Sequence, residues 1–229
     1  MLTTQAIPPF TPAALAILFE KSNFKSFQKT GYQSHYWAPL ISACSGTRRN
    51  EIFYLTPDDI LQKDGIWIMQ PHAIGTKDGH SGSMPRDIPL HPTLKKLGFV
   101  EFVHERRRTH PHERLFSEYK AIQEHAGMVF SRSFVHWIKT TVARLPDDKK
   151  SLFADDFHFP SLRALFSAEA IRSGMSASTF DKMHGIGNGS QAPDADQEHR
   201  DLERADAEMG RMDIESYFPP LYTYEELMA

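Results

Sequence analysis

Between Leu40 and Ile60 the chain passes from one apolar segment, through a glycine and two arginines, into a second apolar segment. No other stretch restricts the fold as strongly. Leu40, Ile41, Ala43 and Cys44 make an apolar helical run that Gly46 interrupts. Ile52, Phe53 and Leu55 then predict a short second helix, until Pro57, Asp58 and Asp59 turn the chain. Two helices joined by so short a break share one core, so a guanidinium at the junction stands on a rigid base. The five donors of Arg48 suit bidentate contact with a phosphate. Glu51, three residues on, lies one helical turn away and is placed to orient it. The same residues also describe a solvated helix end, because exposed Arg-Arg pairs are common.

The 229 residues suit one large domain or two small ones, and 40% hydrophobic with 24% charged residues is an ordinary globular balance. No apolar run approaches the roughly 20 residues of a membrane span, and the first residues lack a charged-then-apolar signal pattern. A single cysteine, Cys44, excludes an internal disulfide and fits a reducing, cytoplasmic compartment; its apolar neighbours predict burial. The net charge of -3 conceals an asymmetry. Residues 190–229 hold eleven acidic against three basic side chains, leaving 23 basic and 18 acidic, a net of +5, in residues 1–189. Such a body permits an anionic partner.

Residues 1–10 read as a leader, after which Thr11-Pro12 is a helix start. Residues 22–33 read as a polar loop and the next helix begins near Ser34, with Pro39 in its first turns. Lys63-Asp64-Gly65 predicts a turn, followed by a strand over 66–69, a second over 72–76 and a third over 86–90, which together predict a small antiparallel sheet. The polar loop between the last two carries Lys77, which also suits simple solubility. His91-Pro92-Thr93 opens a helix through Phe99, Phe102 and Val103 to Arg106, Arg107 and Arg108, a cluster suited either to a phosphate backbone or to a solvated helix end. His104, His110 and His112 have no compact ligand spacing, so no metal site is expected. Helical periodicity recurs over 129–145 and again over 157–174, where Leu162, Leu165, Phe166 and Ile171 read as the buried side. Arg163 interrupts that apolar helix and needs a partner or a cleft. Ser178 to Met183 is a further helix; 188–208 reads as a mobile linker with a short charged helix, and Tyr224 to Met228 as a terminal helix.

Gly-x-Arg-x-x-Glu-Ile followed by Leu-x-x-x-Asp-Ile, from Gly46 to Ile60, resembles the opening catalytic motif of the tyrosine recombinase (phage integrase) family. The resemblance extends over roughly residues 10–229. It implies that Arg48 is the first phosphate clamp, supported by Glu51, and that Lys77 is the general acid. Arg86 to Pro92 also resembles the family, with Arg86 a phosphate contact. Arg163 fits the arginine of a His-x-x-Arg motif, although Pro160 stands where the family has histidine. Gly185 matches a Gly-His motif in which Ile186 replaces the histidine. His158 and His184, each two residues upstream of a substituted position, are candidates for compensation. Tyr217 best fits the nucleophile, with Tyr222 and Tyr224 as alternatives.

The resemblance implies an α+β fold, mainly helical with a three-stranded antiparallel sheet. The organisation expected from it is a leader (1–10), a catalytic core (11–189) and an acidic segment with the tyrosine-bearing terminal helix (190–229), without an N-terminal arm-type DNA-binding domain. The implied activity is site-specific DNA recombination or integration of a mobile element through a 3′-phosphotyrosine intermediate, with no cofactor. The implied partners are double-stranded DNA at a specific site and further protomers in a synaptic complex. No membrane partner is implied, and the setting is a bacterial or phage-derived cytoplasm. Tyrosine, with an ordinary pKa of about 10, needs cationic neighbours to become an effective nucleophile, which two arginines would supply. Loss of both histidines leaves two rival readings: a DNA-binding relative without turnover, and a protein-interaction module docking through its acidic segment.

Overall fold

The computed structural model describes residues 7–27, 32–71, 86–153, 156–186 and 195–228. Thr11 caps α1 (Pro12–Leu18) by accepting a hydrogen bond from the Ala14 N–H at 3.2 Å. The segment expected to be loop is instead α2 (Lys21–Phe27), because Phe24 and Phe27, three residues apart, give it one apolar face to bury. Phe10, in the expected leader, is also buried and packs on Phe157 and Phe134.

All twelve residues of α3 (Ser34–Ser45) are buried, so this helix is the axis of the molecule. It packs most extensively against α9 (Pro160–Arg172). Gly46 ends α3 in the left-handed region, at φ 65°, and α4 (Arg49–Tyr54) begins three residues later. A Cβ on Gly46 would stand 2.6 Å from Phe166 Cδ1, so the bare glycine is what lets the α3–α4 junction press against α9.

The sheet is antiparallel with order β1 (Ile60–Lys63), β2 (Ile66–Met69), β3 (Ile88–Pro89). Asp64 and Gly65, both at positive φ (52° and 81°), make the tight turn that pairs Lys63 with Ile66. The third strand is thus supplied from before the expected turn, and the strand expected over 72–76 lies outside the described residues. One helix was expected after His91; there are two, α5 (Pro92–Lys96) and α6 (Phe99–Thr109), separated by Gly98 at φ 87°.

α7 (Ala126–Ala143) buries Phe130, Phe134, Trp137 and Ile138 against the aromatic core, and α8 (Asp147–Lys150) is a single turn. Along α9 the buried residues are Ser161, Leu162, Leu165, Phe166, Glu169 and Ala170. Ile171, expected on that face, is 72% exposed, because it falls on the opposite side of the helix. α10 (Ala177–His184) ends at Gly185 in the left-handed region.

The acidic stretch expected to be largely mobile forms the sixteen-residue α11 (Ala195–Gly210), which packs on β3 and buries Leu202, Ala205 and Met209. Its acids meet body cations: Glu198 with Lys63 at 2.9 Å and Asp206 with Lys95 at 3.9 Å. A 3-10 turn, Glu215–Tyr217, and α12 (Tyr224–Met228) close the chain. Among the described residues, no helix is long and apolar enough to cross a membrane.

Candidate phosphate-binding site

The junction after α3 is built from short polar side chains. Ser45 Oγ and Thr47 Oγ1 are 2.6 Å apart, and Ser42 Oγ donates to the Thr47 carbonyl at 3.3 Å. Arg48 is the N-cap of α4, and its backbone N–H donates to Glu51 Oε2 at 2.7 Å. Its guanidinium is held more loosely. Arg48 Nη1 lies 3.6 Å from Glu51 Oε1, and the side chain is 47% exposed.

Glu51 is buried and belongs chiefly to Arg86, whose Nη1 and Nη2 donate to its two oxygens at 2.9 and 3.1 Å. Arg86 Nε also donates to the Met183 carbonyl at 2.9 Å. From α9, Arg163 Nη2 donates to the next carbonyl, that of His184, at 3.3 Å. Two guanidiniums therefore grip adjacent carbonyls at the C-terminus of α10, where the helix dipole favours positive charge. Arg86 is interior and backs the site rather than facing it.

Arg48 and Arg163 line one cavity of 480 Å³, together with Ser42, Thr47, Arg49, Asn50, Phe159 and Pro160. Arg163 Nη1 is buried and has no hydrogen-bond partner among the described residues. Burial, followed by the nearby Arg48, pushes the Arg163 guanidinium down to about 10. Arg48, Arg86 and Arg163 around a single carboxylate leave a formal excess of two positive charges. A cationic cavity with an orphaned donor is chemically suited to a bound oxyanion.

His184 does not enter this cavity as an acid. Its Nδ1 stands 2.9 Å from the Phe180 carbonyl, which only accepts, so Nδ1 carries the proton. Nε2 is then an acceptor 2.8 Å from Ser167 Oγ, whose single proton is shared with the Arg163 carbonyl at 3.0 Å. Burial pushes this imidazole down to about 4, with Arg163 adding to the effect, so it is neutral at physiological pH. His158 is turned elsewhere: its Nδ1 lies 2.5 Å from the Asp156 carbonyl and its ring lines an adjoining groove with Arg49. Lys77 lies outside the described residues.

Tyr217 does not line the Arg48–Arg163 cavity. Its hydroxyl donates to Glu169 Oε2 at 3.2 Å. Glu169 is fully buried and also accepts from both ends of Arg172 (2.6 and 2.8 Å) and from the Asp213 N–H (3.1 Å). Burial, then the Glu169 charge, raises the Tyr217 phenol above its ordinary value. Tyr222 and Tyr224 do not line the cavity either; the Tyr222 carbonyl accepts from Tyr36, and Tyr224 packs on Phe102. All seven tyrosines of the chain are described, and none lines that cavity. The arginine cluster of α6 is engaged within the molecule: Arg106 Nη2 donates to the Arg114 carbonyl at 3.1 Å, Arg107 Nη2 to those of Pro57 and Ile60 at 2.5 and 2.7 Å, and the exposed Arg108 pairs with Glu105.

No protein-family model and no curated protein matches the chain. Solved structures do match. The Tn1549 transposon integrase in complex with transposon right-end DNA aligns with a TM-score of 0.52 and 21% identity, over 88% of this chain and 67% of that one. The same integrase in complex with circular-intermediate DNA aligns with a TM-score of 0.54 and 18% identity, over 99% of this chain and 66% of that one. The fold is similar to that of a transposon integrase. The chain spans about two thirds of the length of these integrase chains, and at such identities the likeness is one of fold. The integrase catalytic-domain architecture expected from the motifs, mainly helical with a three-stranded antiparallel sheet, is the one the molecule adopts.

Several groups that build and surround this site had no local sequence signal. Ser167, Glu169 and the Arg86–Glu51 pairing depend on contacts 17 to 48 residues apart. Gly46 was the one readable sign of a close helix approach.

Proposed function

We propose that the chain is a recombinase-type DNA-binding domain that holds one backbone phosphate between Arg48 and Arg163. The observation carrying this reading is the cationic cavity that Arg48 and Arg163 line together, beside which Arg163 Nη1 is buried with no hydrogen-bond partner among the described residues. The neighbours of similar fold are DNA complexes, which supports DNA as the source of that phosphate. Arg48 is exposed enough to close on an incoming anion, while Arg163 is fixed by the α10 carbonyl and presents a prepositioned edge.

Equilibrium binding to a short fluorescent duplex tests this. Electrostatic binding is independent of sequence at low salt, so an unknown recognition site is no obstacle. Arg48→Gln and Arg163→Gln should each weaken binding about tenfold and flatten its salt dependence. Unchanged binding in both variants rejects the reading.

Strand cleavage is a second reading, favoured by the attachment of Tyr217 to the helix that carries Arg163. Glu169 lies six residues beyond Arg163 on α9, about 9 Å along the axis at 1.5 Å per residue. Release from Glu169 would free the phenol to approach the bound phosphate. Attack of the phenolate oxygen on phosphorus forms a 3′-phosphotyrosine, and the 5′-oxygen leaves with a proton, for which Lys77 is the candidate donor. Integration or recombination at a specific site, with further protomers assembled on the DNA, belongs to this reading. A nicked suicide duplex carrying the recognition site would trap an adduct that Tyr217→Phe abolishes; an adduct surviving that substitution rejects Tyr217 as nucleophile.

A further inference from the structure

About half of the surface cations among the described residues stand beside a carboxylate. Lys63 meets Asp87 at 3.0 Å, Arg108 meets Glu105 at 2.8 Å, Lys150 meets Asp147 at 2.8 Å and Arg204 meets Asp201 at 2.6 Å. Along α7 none does. Its eighteen residues include no aspartate or glutamate, although the whole chain holds 29 acidic against 26 basic side chains. Arg132, His136 and Lys139, spaced four and three residues apart, are exposed along one stripe of this helix. Among the described residues neither Arg132 nor Lys139 has a carboxylate partner; Arg132 Nη2 meets only the Met128 sulfur, at 3.8 Å.

That stripe borders a groove of 500 Å³ between α7 and the start of α9, floored by Met128, Val135 and Pro160. Arg49 and Pro160 line this groove and the Arg48–Arg163 cavity alike, so the two adjoin. The shared wall is fixed in place. Arg49 Nη1 donates to Ser131 Oγ and its Nε to Asn50 Oδ1, both at 3.2 Å. Gly127 admits this packing, since a Cβ there would stand 2.9 Å from Asn50 Oδ1 and 3.2 Å from Arg49 Cγ. Burial without a carboxylate also pushes the Arg49 guanidinium below its ordinary value.

Unpaired cations along an apolar floor complement a strand in which anions recur at regular intervals between apolar sugar faces. The seven helical steps from Arg132 to Lys139 span about 10 Å of helix. At about 3.4 Å of axis per charge on one strand, that length faces roughly three phosphates. We infer that this groove carries the DNA sugar–phosphate backbone onward from the Arg48–Arg163 cavity, with Arg132 and Lys139 each contacting a phosphate. The inference rests on the phosphate reading of that cavity and extends it to a second, separable contact surface.

Binding of the full chain to a fluorescent duplex of arbitrary sequence, measured across a salt series, separates the two. Arg132→Gln with Lys139→Gln should reduce the slope of log K against log salt by about 1.8, at about 0.9 per phosphate contact. Both side chains are exposed, so thermal unfolding of this variant should match the parent; Lys139→Glu alone, which should weaken binding further than Lys139→Gln, is a second route to the same answer. If the double variant keeps the parental slope while Arg48→Gln and Arg163→Gln lose theirs, the track is rejected and the cavity stands. If the parent does not bind duplex at low salt, the phosphate reading fails and the track with it. If the double variant loses binding to a polyglutamate peptide but not to duplex, the groove serves an acidic protein segment and the inference is overturned.

Discussion

Arg86 and Glu51 face each other in the interior through two hydrogen bonds of 2.9 and 3.1 Å, and this pair sets the geometry of the α4 junction. Glu51 also holds the Arg48 N–H at 2.7 Å, and Arg86 also holds the Met183 carbonyl at 2.9 Å. The two residues therefore link the start of α4, the strand β3 that follows Arg86, and the end of α10. Arg48 and Arg163 inherit their positions from that link.

Removing one member of the pair strands the other charge in a buried site. Glu51→Gln or Arg86→Met should each cost about 3–5 kcal/mol in denaturant unfolding. The double variant should cost less than the sum of the two, because neither partner is then left uncompensated. Strict additivity would mean that the pair does not act as a unit.

Gly46→Ala combines two penalties, a left-handed backbone at φ 65° and a Cβ only 2.6 Å from Phe166 Cδ1. The expected loss is on the order of 2–4 kcal/mol. Gly65→Ala is the matched control, being at φ 81° with nothing within 4 Å, so it carries backbone strain alone, about 1 kcal/mol. Duplex binding should fall in Gly46→Ala and not in Gly65→Ala, because only the first displaces Arg48. Equal destabilisation of the two would remove the Phe166 contact from the account.

The residues that line the cationic cavity left a trace in the chain where a local rule is broken. Gly46 interrupts an apolar helix and Arg163 sits inside another, and such breaks need a structural reason. Their partners were not legible. Glu169 reads as one acid among many until the 3-10 turn brings Tyr217 and Asp213 to it. The high charge of 195–210 concealed a stripe of Leu202, Ala205 and Met209 that is enough to bury one face of α11. α2 was hidden in the same way, by lysines and serines surrounding Phe24 and Phe27. Composition reports the average of two faces, whereas burial depends on one.

Two buried histidines predict an acid transition. Burial pushes His91 and His184 from an ordinary value near 6.5 down to about 4. The unfolded chain therefore binds more protons than the folded one between those values. Stability is complete above 6.5 and is lost as pH falls towards 4, by on the order of 3 kcal/mol for each group. Urea unfolding at a series of pH values should show this decline, and His91→Asn with His184→Asn should flatten the part between 6.5 and 4. An unchanged slope in the double variant would assign the transition to other groups.

Tyr217 is held by the group least suited to activating it. A phenol that donates to a buried carboxylate loses that hydrogen bond on ionising and meets a like charge, and both effects raise its pKa. Difference titration of the parent against Tyr217→Phe, followed by tyrosinate absorbance, should place this phenol above its ordinary range. Glu169→Gln removes the charge and should bring it down, while weakening the hold on the Asp213 N–H. If cleavage needs Tyr217 to leave Glu169, the same variant should form covalent adduct on a suicide duplex faster than the parent. A phenol that titrates normally in the parent, or an adduct rate that Glu169→Gln lowers, would show that Glu169 does not restrain the tyrosine. The restraint and the chemistry thus have separate readouts, one optical and one covalent, and only the second requires a cognate DNA site.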